Sequence, residues 1–217
     1  MLAGSGKTPV SKMSEVEDSV QIPNWPRIKI SKLEIAQQQL NAAIRGYFLE
    51  SDPVPTLTLA GAAYEIVKDL AGSDHKDIVL DSPEEIGEGF FEAFRYPYSA
   101  LKHADRKPDE ILEFPTELAE LYIYEAVDKY YFLVGKRSLE MFVFLLWYNV
   151  ILNRDDFFTH EPGRSDANTF VERFPKDRAG FFKELTQPGV LPDIDWLNER
   201  SALRLDGMWL SSVVSRP

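Results

Sequence analysis

Apolar residues along this chain recur at intervals of three and four rather than in alternation, so the pattern predicts helices and no strands. From Ser31 to Glu50, the positions Leu33, Ala36, Leu40, Ile44 and Phe48 fall on one face, and Gln37, Gln38, Gln39 and Asn41 fill much of the other. Ser31 and Glu34 have capping-box spacing, in which hydroxyl and carboxylate each satisfy a backbone N–H that the first turn leaves open. A stiff turn, Ser51-Asp52-Pro53-Val54-Pro55, leads to a second helix over Thr56–Leu70 that Gly72 ends. Its expected buried face is Leu59, Ala62, Ala63, Ile66 and Leu70, and its Ala60-Gly61-Ala62-Ala63 run permits close backbone approach. Ser82-Pro83-Glu84-Glu85 opens a third helix, with Ile86, Phe90, Phe94 and Leu101 on its apolar face. Pro97 predicts a kink near Arg95-Tyr96, and the helix is expected to end close to Pro108. A fourth helix runs from Phe114-Pro115-Thr116-Glu117 to Val134. Glu117, Glu120 and Asp128 are expected on its wet side, and Leu118, Leu121, Tyr122, Val127 and Tyr131 on its buried side. Gly135 stops it and Ser138 starts a fifth, Leu139–Leu152, apolar nearly all round and so expected to be central or covered by a partner chain.

These elements divide the chain into an N-terminal arm (1–27), a helical domain (28–152) and a C-terminal extension (153–217). The arm is polar and lacks apolar periodicity. In the extension, prolines separate short helical pieces at Asn168–Phe174, Asp177–Leu185 and Asp195–Leu205, with Phe157, Phe158, Phe181, Phe182, Trp196 and Trp209 as anchors on the bundle. The expected fold class is all-α: an antiparallel bundle of four to five core helices with an irregular helical extension packed on it.

Composition narrows the chemistry. The chain has no cysteine, which excludes disulfides and thiolate catalysis. A formal net charge of −11 disfavours broad electrostatic attraction to double-stranded DNA, leaving room only for a local basic patch. The apolar run Met141–Leu152 is too short to span a bilayer, and the first residues lack a secretory pattern, so a cytoplasmic protein without membrane contact is expected. Gly4-Ser5-Gly6-Lys7-Thr8 echoes the end of a phosphate loop, but Met1 stands where its first glycine belongs and no strand precedes it. No Glu-x-x-His or His-x-x-x-His spacing occurs, and neither the acidic run around Glu84–Glu92 nor His75 between Asp74 and Asp77 makes a metal site, so no metal and no cofactor is expected.

The densest chemistry is Lys102-His103-Ala104-Asp105-Arg106. His103 is the candidate general base, with Arg95 and Arg106 as candidate phosphate-facing cations and Lys102 and Asp105 as ligand-binding residues. The same residues also suit a plain helix end, where Lys102 and His103 complement the dipole and Asp105 caps the turn. The aromatic set Tyr122, Tyr124, Tyr130, Tyr131, Phe142, Phe144, Trp147 and Tyr148 offers the alternative of a small apolar ligand pocket, or else core and dimer interface.

Three blocks carry a resemblance. Lys32-Leu33-Glu34-Ile35-Ala36 with Gln39-Leu40-Asn41-Ala42-Ala43-Ile44, then Thr58-Leu59-Ala60-Gly61-Ala62-Ala63-Tyr64-Glu65-Ile66, then Leu101-Lys102-His103-Ala104-Asp105-Arg106 resemble a group of uncharacterised bacterial helical proteins over about residues 30–135. In that group a His often precedes the second block, where this chain has Leu57. More distantly, a His near the end of a bundle helix before an Asp-containing turn is similar to HEPN (higher eukaryotes and prokaryotes nucleotide-binding) domains. Many of these are dimeric, metal-independent ribonucleases or their inactive relatives. The resemblance implies a homodimer with an RNA or nucleotide ligand near His103. The ribonuclease pattern sets an Arg and a polar residue ahead of the His; here Arg95 is followed by Tyr96 and Pro97, a departure that argues against cleavage. The expected function is therefore a non-catalytic, self-associating module, with the metal-independent endoribonuclease as the enzyme alternative.

Overall fold

The computed structural model of the protein describes residues 26–49, 52–76, 88–103, 105–107, 109–148, 177–191 and 193–201. Residues 1–25 of the expected arm, the Ser82 cap with Ile86, the Asn168–Phe174 piece and the anchors Phe157, Phe158 and Trp209 lie outside these residues, as does the side chain of Phe90. The described part is 72% helical without a strand, an all-α fold. Its helices are α1 (Lys32–Phe48), α2 (Pro53–Ala71), α3 (Glu88–Lys102), α4 (Leu118–Val134), α5 (Leu139–Trp147), α6 (Arg178–Leu185) and α7 (Ile194–Ser201).

The capping box forms as expected at α1: the Ser31 N–H donates to Glu34 Oε2 at 2.8 Å and the Glu34 N–H donates to Ser31 Oγ at 3.2 Å. Ala36, Leu40, Ile44 and Phe48 are fully buried, and Ala43 and Tyr47 join them. α2 begins earlier than the proline-rich turn suggested. Asp52 caps it by accepting the Val54 N–H at 2.9 Å, and Pro53 and Pro55 lie within its first turn. Proline costs little there, because the first-turn N–H groups have no intrahelical acceptor. The buried face of α2 is also rotated from expectation. Leu57, Ala60, Ala63, Tyr64, Val67 and Ala71 are buried, whereas Leu70 is 42% exposed.

α3 continues through Pro97 and ends at Lys102, short of Pro108. Phe94, Pro97 and Tyr98 are buried among its described residues, and Gly61 of α2 lets the Tyr98 ring approach the α2 backbone. Along α4 the expected wet side is wrong at Glu120, which is buried, as are Glu125 and Lys129 further along the same helix. Gly135 ends α4 in the left-handed region at φ 70°, as its position after Val134 implies. Met141–Trp147 of α5 are all buried within this one chain, so this part of the helix needs no second copy to cover it; the rest of the expected helix, 149–152, lies outside the described residues. From the extension, Phe181, Phe182 and Leu185 of α6 enter the same core, with the Phe182 ring stacked 4.9 Å from Phe48. Among the described residues, no helix is long and apolar enough to cross a membrane.

Candidate functional site

α3 delivers His103 to the surface one residue past its end, where the His103 N–H donates to the Ala100 carbonyl at 3.2 Å and the Arg106 N–H donates to the His103 carbonyl at 3.0 Å. This tight turn sets both side chains along one groove of about 370 Å³, which Tyr96, Lys107 and Glu110 also line. Of the five residues singled out from the sequence, the groove thus brings together His103 and Arg106. Arg95, Lys102 and Asp105 are exposed and do not line it. The Lys102 ammonium lies 5.0 Å from the Tyr98 ring centre, spent on a cation–π contact at the helix end.

Three groove residues that sequence reasoning missed form a fixed wall. The Tyr96 hydroxyl donates to the Glu110 carboxylate at 2.5 Å, and the Lys107 ammonium donates to Tyr96 Oη at 2.9 Å and to Glu110 Oε1 at 3.2 Å. The Tyr96 hydroxyl, then Lys107, hold the Glu110 carboxyl below the usual carboxylate range. The same two partners hold the Lys107 ammonium above its ordinary value. The wall is therefore ionised and internally compensated at neutral pH, which leaves His103 and Arg106 facing the groove without a carboxylate hydrogen-bonded to either among the described residues. Only the adjacency of His103 and Arg106 was visible in the sequence; Tyr96 and Glu110 meet across a turn that no periodicity encodes.

Elsewhere, buried polar groups tie elements together. Tyr47 donates to Glu120 and accepts from Trp147 Nε1 at 3.1 Å, joining α1, α4 and α5, while the Arg178 guanidinium of α6 lies 4.6 Å from the Tyr47 ring centre. Burial raises both the Glu120 carboxyl and the Tyr47 phenol above their ordinary values, the phenol further because of the Glu120 charge beside it. His75 hydrogen-bonds Asp128 and stacks 4.4 Å from Phe132, so this imidazole anchors the end of α2 to α4. Among the described residues, no group of three or more His, Asp or Glu side chains is placed to hold a metal ion. Of the aromatic residues considered for an apolar pocket, Tyr124 stacks on Tyr148 at 4.4 Å and Tyr122 on Phe94 at 4.1 Å, whereas Tyr130 lines a second cavity of about 620 Å³.

Fold and groove together define an all-α protein with a small cationic groove at one helix end. Comparison with protein-family models, with curated proteins and with solved structures returns no match.

Proposed function

We propose that this chain is a non-catalytic, HEPN-like helical binding module that holds a nucleotide or single-stranded RNA beside His103. One observation carries the reading: His103 and Arg106 line the same groove as the aromatic Tyr96. A guanidinium and an imidazole supply donors to phosphate oxygens, and an aromatic ring supplies a face or edge for a base. Catalysis by His103 would call for a partner that orients the imidazole, and the nearby carboxylate, Glu110, is engaged with Tyr96 and Lys107 instead. With a net charge of −11, attraction at long range is weak, and affinity rests on these local contacts. Self-association belongs to this proposal through the resemblance alone, because Met141–Trp147 are covered within the chain.

Fluorescence anisotropy with a labelled single-stranded RNA tests the proposal. The intact protein is expected to bind, and a His103→Ala/Arg106→Ala double variant to bind about tenfold or more weakly, given that hydrogen bonds to charged groups contribute about 1.5–3 kcal/mol. Equal affinity in the two proteins, or no binding by the intact one, refutes it. RNA cleavage in chelator that His103→Ala abolishes would replace the module by the metal-independent endoribonuclease.

A further inference from the structure

The described lining of the His103 groove holds five side chains that carry or can carry charge: Tyr96 from α3, His103, Arg106 and Lys107 from the turn after it, and Glu110 beyond the turn. In four of them the charge is fixed from mildly acidic to mildly basic pH. Guanidinium groups stay protonated in proteins, so Arg106 is a constant cation. The Tyr96 hydroxyl uses its proton on Glu110. Glu110 is held below the usual carboxylate range by that hydroxyl and by Lys107, and Lys107 is held above its ordinary value by the same two partners. Lys102, Asp105 and Asp109 are exposed, and neither they nor Glu65 of α2, the carboxylate beside Tyr98, line the groove.

The fifth side chain is of the type that changes charge between about pH 5 and 8. His103 is half-buried, and no carboxylate is hydrogen-bonded to it among the described residues. Lys107 and Glu110 cancel within the wall, so the lining carries the charge of Arg106 alone when the imidazole is neutral and twice that charge when it is protonated. Protonation also changes the geometry on offer, since a neutral imidazole donates from one ring nitrogen and an imidazolium from both. A phosphate oxygen in the groove favours the imidazolium, and by reciprocity the proton favours the phosphate by the same factor.

We propose that the groove takes up single-stranded RNA together with a proton on His103, so that affinity rises on acidification while Arg106, Lys107 and Glu110 keep their charges. The inference rests on the RNA reading of the groove and adds its regulation. His75, hydrogen-bonded to Asp128 between α2 and α4, lines neither this groove nor the larger cavity and takes no part in it.

Fluorescence anisotropy of the full chain with a rhodamine-labelled oligouridylate, at pH 6 and pH 8 and constant ionic strength, tests it, because uracil and the phosphodiester both hold their charge over that interval. The intact protein is expected to bind about fivefold more tightly at pH 6, the margin by which a hydrogen bond to a charged group exceeds one to a neutral group. His103→Asn keeps a polar side chain that does not titrate and is expected to bind at both pH values with about equal, weaker affinity. Calorimetry near pH 7 in two buffers of different ionisation enthalpy is expected to show proton uptake on binding by the intact protein and none by His103→Asn. Equal affinity of the intact protein at the two pH values, or a pH ratio or proton uptake that survives in His103→Asn, overturns the proton dependence and leaves the RNA reading standing. No binding at either pH refutes both.

Discussion

Gly61 lies mid-helix in α2, where alanine ordinarily stabilises a helix by about 1 kcal/mol relative to glycine. Gly61→Ala is expected to do the reverse. A Cβ at this position would sit 2.4 Å from Cδ2, 2.5 Å from Cε2 and 2.8 Å from Cγ of Tyr98, far inside the carbon–carbon optimum of about 3.5–4.0 Å. Because Cγ is among these atoms, the ring cannot escape by swinging its tip; the whole side chain has to move. Tyr98 is buried and lies 5.5 Å from the Tyr122 ring, which is itself stacked on Phe94, so the displacement passes into the packed seam of α3 and α4. Overpacking costs about 1–3 kcal/mol, and contacts this short belong in the upper part of that range, about 2–3 kcal/mol; less the propensity gain of about 1 kcal/mol, the net loss is about 1–2 kcal/mol. Urea denaturation followed by tryptophan fluorescence measures it. In a Tyr98→Leu background the clash shrinks, and a double-mutant cycle is expected to show a coupling of about 1 kcal/mol or more. A Gly61→Ala protein as stable as its parent would refute the close approach of α2 to α3.

Phe182→Ala removes a ring stacked on Phe48 and is expected to cost about 3–5 kcal/mol in the same assay; a loss below about 1 kcal/mol would take α6 out of the core. Glu120→Gln tests the buried carboxyl. Burial raises its folded pKa above the unfolded value, so the folded state holds the proton more tightly. Stability from this group is then fully present below the ordinary Glu range and declines as pH rises from that range through the folded value. Glutamine keeps an acceptor for Tyr47 without the charge, so the variant is expected to unfold at higher urea than the parent at pH 8, with the gap closing towards pH 4. A gap that widens on acidification contradicts the assignment.

How far the chain could be read in advance depended on contrast between helix faces. α1 alternates apolar and amide-bearing stripes, and of its expected apolar face Ala36, Leu40, Ile44 and Phe48 are buried while Leu33, in the first turn, is half-buried. α2 is apolar on several sides, so more than one stripe fits the spacing, and tertiary packing selected Leu57, Tyr64 and Val67 over Leu70. The charged residues of α4 were misplaced for a different reason. Glu120 is buried because Tyr47 reaches it from α1, and Lys129 donates to the His75 carbonyl at 3.0 Å, partners distant along the chain that no local pattern announces. The groove was half legible for the same reason: His103 and Arg106 are chain neighbours, whereas Tyr96 and Glu110 are brought together by the turn. These polar contacts do what apolar surfaces do poorly. Leucine and phenylalanine tolerate many relative rotations of two helices, while a buried tyrosine–glutamate or lysine–carbonyl bond tolerates few, so each penalises misaligned packings more than it stabilises the right one. Arg137 does not follow that logic. Its backbone bonds to Asn198 align the connection with α7, and its guanidinium lies against the Tyr131 and Phe142 rings, yet its Nε and Nη1 lack acceptors, whereas Glu120 has a donor in Tyr47 and Lys129 an acceptor in the His75 carbonyl.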